Sequence, residues 1–128
     1  MNPHAFHVYL YGPDRGPIGG RFEQAQQRME QLPGLFFELD GSFAWMRQPG
    51  SDEIYGILYD AAGEIQYCDL HGNCSRDTLT QLCAAITTRS LSCLEVLLLP
   101  EQDLQDFECF ANHWNETAAN SRGKPDHG

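Results

Sequence analysis

Lysine is almost missing from this 128-residue chain. Lys124 is the only one, and with seven arginines it makes 8 basic residues against 18 acidic ones, a formal net charge of -10. Such a surface repels phosphate backbones, which argues against nucleic acid as a partner. Long apolar runs are missing too. The densest, Cys93 to Leu99, is strand-length and broken by Glu95, far short of the ~18–20 residues that a membrane helix needs. Residues 1–10 have neither the basic stretch nor the long apolar segment of a secretory leader. Cysteines number five, an odd count, at positions 68, 74, 83, 93 and 109. Cys83, Cys93 and Cys109 sit in apolar segments, as small buried hydrophobes do. The expectation is a cytosolic chain with reduced thiols rather than a disulfide framework. The sequons at Asn73 and Asn115 carry no meaning in that compartment.

What is present is an ordinary globular balance, 41% hydrophobic and 20% charged, at about the length of one domain. Phe6, Val8 and Leu10 alternate with His7, Tyr9 and Tyr11, the period of a strand with apolar residues on both faces. A glycine-rich loop follows, Gly12 to Gly20. Phe22, Ala25, Met29 and Leu32 then form one stripe of an amphipathic helix that Pro33-Gly34 ends. Leu35 to Leu39, Phe43 to Arg47, Ile54 to Tyr59 and Ile65 to His71 read as four strands joined by short turns. Asp40-Gly41 is a hairpin signal in which both central residues are expected at positive φ. Leu79, Leu82, Cys83 and Ile86 mark a second helix, capped by Ser75 or Asn73. Leu91 to Leu99 suits a strand buried on both faces. Leu104, Phe107, Phe110, Ala111 and Trp114 mark a third helix.

The predicted order is β-α-β-β-β-β-α-β-α. It points to an α+β fold: a single, mostly antiparallel sheet with helices packed on one face. Residues 1–115 form the domain and 116–128 a flexible polar tail. The predicted core comprises Leu35, Phe37, Leu39, Leu79, Leu82, Ile86, Leu94, Val96, Leu98, Leu104 and Phe107.

Four constellations bear on chemistry. Asp69 and His71 share a strand face, and Cys74 follows near a helix N-terminus, where a thiolate is favoured. These are the parts of a thiol nucleophile, its base and an orienting acid, the alternative being a strand end followed by a helix cap. Cys68, His71 and Cys74 have a C-x2-H-x2-C spacing compatible with zinc, but positions 68 and 71 point to opposite faces of a strand. No metal or cofactor site is assigned. The Gly12–Gly20 loop has the strand–glycine–helix order that cradles anions, yet lacks both the Walker and the dinucleotide patterns. Finally, the predicted strands hold more aromatics than one buried face accommodates. With helices over one face, Phe36 and a set among Tyr55, Ile57, Tyr59 and Tyr67 fall on the other, a composition typical of interfaces. The reading that results is a small acidic binding module, acting on a protein partner or on a second copy of itself. The thiol enzyme built on Cys74 is its rival.

Overall fold

In a computed structural model that describes residues 5–112, the fold is α+β: one antiparallel sheet with helices on one side. The elements are β1 (Phe6–Tyr11), α1 (Phe22–Glu30), β2 (Leu35–Phe37), β3 (Ser42–Gln48), β4 (Asp52–Ala61), β5 (Glu64–Asn73), α2 (Arg76–Ile86), β6 (Glu95–Leu98) and β7 (Asp103–Asp106). Residues 107–112 are again helical. The strand order is β2-β3-β4-β5-β1-β6-β7. β2 to β5 form a meander, and β1 is inserted between β5 and β6.

Local chemistry explains the meander. Between β4 and β5, Ala62 and Gly63 both take positive φ (53° and 87°), the pair of conformations that a two-residue hairpin demands. The Asp60 carboxylate accepts from the Gly63 amide at 2.9 Å and fixes this turn. The Asp40-Gly41 hairpin is built differently from the sequence expectation. Its loop spans residues 38–41 and only Gly41 is at positive φ. Asp40 instead accepts hydrogen bonds from the amide and hydroxyl of Ser42, which hold its carboxyl below the ordinary range. Gly56 is required by close approach. A Cβ there would lie 2.2 Å from the Asp69 carbonyl and 2.7 Å from the ring of Phe43, its cross-strand partner.

The core lies between the sheet and the helices. It takes Val8, Leu10, Ile54, Leu58, Ile65, Cys68 and Leu70 from the sheet, Ala25 and Met29 from α1, and Leu79, Leu82, Cys83 and Ile86 from α2. Ile18, fully buried, pins the glycine-rich loop onto the N-terminal end of β5. The start of α2 is a polar knot. Ser75 is the N-cap and accepts from the Thr78 amide at 3.1 Å. The Asp52 carboxylate accepts from the Ser75 amide and from the buried Thr78 hydroxyl, and Arg47 donates to Thr78 Oγ1 and Asp77.

Three expectations are corrected. Leu39 is not core: it sits in the 38–41 loop, 93% exposed. Leu104 does not open a helix: residues 103–106 form β7, and Leu104 pairs with Leu97 at 43% exposure. The chain reverses tightly after β6, with Gln102 at φ 62° donating its amide to the Leu98 carbonyl, and strand pairing follows. The long strand proposed for Leu91–Leu99 is shorter, because Leu91–Cys93 is a 3-10 turn. The tail expectation for 116–128 falls outside the described residues.

Candidate functional site

The face of the sheet opposite the helices carries the aromatic surplus. Directly opposed residues of neighbouring strands share a face, so the register defines this one row by row. Phe36, Ala44, Tyr55, His71 and His7 form one row. Ser42, Ile57, Asp69, Tyr9, Leu97 and Leu104 form the next, and Tyr59 and Tyr67 lie in a third, on the side of Tyr11. All four residues picked from the sequence, Phe36, Tyr55, Tyr59 and Tyr67, are on this face. Among the described residues, Phe36, Met46, Tyr59 and Leu104 are also four of the five exposed large hydrophobics, Phe36 at 67%.

The rings form a connected layer. Tyr59 stacks on Tyr67 with centroids 4.6 Å apart, and Tyr67 stacks on Tyr11 at 5.6 Å. Tyr9 leans on Tyr67 at 5.4 Å and meets His7 edge-on at 6.0 Å. His7 meets His71 at 5.8 Å, and His71 stacks on Tyr55 at 5.6 Å. Offset and edge-on contacts of this kind hold rings in place, so the layer is preorganised. Acids are set into it. Asp69 Oδ1 lies 2.9 Å from His7 Nε2. The Tyr55 hydroxyl donates to Glu53, which together with the Gly50 amide holds the Glu53 carboxyl below its ordinary range and raises the Tyr55 phenol. Partial burial, reinforced by its neighbours Tyr59, Tyr9, Tyr11 and Asp69, raises the Tyr67 phenol as well.

The thiol constellation is divided between the two sides of the sheet. Asp69 and His71 stand on the open face, but the acid bonds His7 rather than His71. Cys74 is packed into the core, where burial and the neighbouring Asp52 push its thiol up to about 12. That is the reverse of the depressed value a nucleophilic cysteine has. The zinc spacing is divided in the same way, since Cys68 is buried beneath the helices while His71 is on the other face. Among the described residues no group of three or more His, Cys, Asp or Glu is arranged to hold a metal ion.

The glycine-rich loop does hold an anion, and it is the chain's own. Asp14 and Arg15, both at positive φ, point consecutive amides at the Glu95 carboxylate, at 3.2 and 3.0 Å. This is the concave amide arrangement expected of an anion cradle. Sequence reasoning did not place His7 on the open face or Glu95 against the loop. The alternation of His7, Tyr9 and Tyr11 was the available signal for the first. Glu95 lies some 80 positions from its partners and gives no local signal.

Comparison of the chain with models of known protein families, with curated proteins and with solved structures returned no match.

Proposed function

We propose that this is a binding protein whose working surface is the open sheet face, and that its partner is a protein presenting a basic patch. The observation that supports this most is the continuous Tyr55–His71–His7–Tyr9–Tyr67–Tyr59 layer, left uncovered by α1 and α2 and edged by unpaired hydrophobics such as Phe36. Stacked tyrosines offer large contact area with little rotamer entropy to lose, and their faces attract guanidinium and ammonium groups. Asp69, Glu53 and Glu95 on the same face supply carboxylate partners for such cations. The net charge of -10 draws a basic partner in from a distance. The same charge opposes a second copy of the chain, because two such molecules repel one another. No helix among the described residues is long and apolar enough to cross a membrane. The five free thiols suit a reducing cytosol as the place of action.

A basic probe separates the possibilities. Titration with an arginine-rich peptide, followed by amide chemical shifts, should move His7, Tyr9, Tyr55, Tyr59, Tyr67 and His71 together. Replacing Tyr59 and Tyr67 by Ala should remove the response without unfolding the chain. Shifts confined to scattered surface acids would overturn the assignment of the face. A stable dimer by sedimentation at low salt, where repulsion between copies is strongest, would overturn the choice of partner.

A further inference from the structure

A second concave site lies on the helical side of the molecule, away from the tyrosine layer. It is a cleft of about 270 Å³ between the glycine-rich loop, α1 and the segment after α2, lined by Ile18, Gly19, Gly20, Gln24, Arg28, Thr87, Thr88 and Arg89. Its charge is opposite to that of the chain as a whole. Two of the seven arginines converge on it, and among the described residues that line it none is acidic.

Both arginines are held from behind. Arg28 donates through Nε and Nη2 to the carbonyls of Ala85 and Ile86 at the end of α2, at 2.8 and 3.2 Å. Arg89 donates through Nε to the Ile18 carbonyl at 2.7 Å. A guanidinium carries five N–H donors in a rigid fork. These anchors occupy two donors of Arg28 and one of Arg89, so each fork is fixed with donors left over. Gln24 and Thr88, both exposed, add a side-chain amide and a hydroxyl to the lining. Two glycines at positive φ line the mouth. A Cβ at Gly20 would meet nothing within 4 Å, and one at Gly19 would sit 3.4 Å from Arg89 Nη2. Donors therefore stand on the α1 side and on the far wall, as an anion with several oxygens, such as a phosphoryl group, requires.

We infer that this cleft is a binding site for the phosphoryl group of a small molecule. The volume admits a phosphoryl group with part of the molecule bearing it. A nucleic acid does not fit the proposal, because the chain as a whole carries a net charge of -10, whereas the long-range repulsion of a small anion is screened within about 8 Å at physiological ionic strength.

The test uses inorganic phosphate and pyrophosphate as probes, with sodium chloride at matched ionic strength as the control. Amide and arginine Nε–H shifts at Gly19, Gly20, Thr87, Thr88 and Arg89 should saturate with a dissociation constant of about 1 mM or tighter for pyrophosphate. Gln24→Glu places a carboxylate one helical turn from Arg28, where it competes with an anion for that guanidinium, and leaves the carbonyls that anchor both arginines in place. It should weaken binding at least about tenfold, the effect of one unfavourable charge, with the melting temperature unchanged. Thr88→Asp should do the same from the other wall. Arg89→Gln should also abolish the response, though its lost contact with Ile18 makes it the less clean variant. Three outcomes would overturn the inference: shifts that never saturate, equal binding by wild type and Gln24→Glu, or citrate saturating the cleft while both phosphates do not.

Discussion

Cys74 and Thr78, four residues apart, show how far a side chain's role depends on what the fold puts around it. Cys74 has the residue type and position of a reactive thiol, beside a helix N-terminus, but it is 5% exposed and its thiol is pushed up to about 12. Cys93 and Cys109 are exposed, not buried as their apolar segments suggest, and in the native protein should react with a neutral-pH alkylating reagent, while Cys68, Cys74 and Cys83 should react only on unfolding. Mass mapping of labelled peptides at short times checks this, and early labelling at Cys74 would contradict its placement. Thr78 is buried and fully used, donating to Asp52 and accepting from Arg47. Thr78→Val should cost about 1–3 kcal/mol, because it orphans polar partners, whereas Ser75→Ala should cost about 1 kcal/mol for the lost cap. Denaturant melts of the two variants give the comparison. The cap was readable as one of two residues, Ser75 or Asn73, ahead of a helical period, and the structure has Ser75. Its tie to Asp52 was not, since 23 residues separate the two.

Among the elements, β4 is the most constrained. It pairs along most of its length with both β3 and β5, and Gly56 at its middle lets the Phe43 ring lie against the backbone. Gly56→Ala should therefore destabilise by about 1–3 kcal/mol through overpacking. Leu82→Ala, which empties a fully buried site on α2, should cost about 2–5 kcal/mol. If Leu82→Ala melts like the wild type, the buried face of α2 has been assigned wrongly. Elements with a clean period were legible in the sequence: the β1 alternation, the α1 stripe, the meander and the α2 stripe all correspond to observed elements. β7 was not. Leu104 and Phe107 are three apart, which imitates a helical stripe, and a four-residue strand offers too few positions for a period of two to declare itself. Its identity comes from pairing with β6, a tertiary contact. The open face was legible in part, because an aromatic surplus can be counted while the ring-to-ring order depends on register.

For the whole molecule, pH dependence follows from groups that the fold makes harder to ionise. Burial raises the Cys74 and Cys83 thiols and drives Cys68 well above its ordinary value, and the Tyr55 and Tyr67 phenols are raised as well. Each of these acids holds its proton more tightly folded than unfolded. Stability from them is complete below their ordinary values and is lost as pH rises above about 9. Denaturation midpoints should fall between about pH 9 and 11, and replacing Cys74 and Cys83 by Ala should flatten the decline. At the acid end, Glu53 and Asp40 are held below their ordinary range. Their contribution has the opposite sign, being present above the ordinary carboxylate values and lost as pH drops through the lowered ones.

The insertion of β1 between β5 and β6 has a consequence in time. β1 is synthesised before both of its partners, which lie at 68–72 and 95–98. At about 5–20 residues per second, the ribosome needs about 3–10 s to pass from the end of β1 to the start of β5. Throughout that interval the nascent chain carries an apolar, aromatic strand with both edges open. The β2–β5 meander, whose partners are near in sequence, can form first and offer β1 a template on one side; the other edge closes only after β6 has emerged.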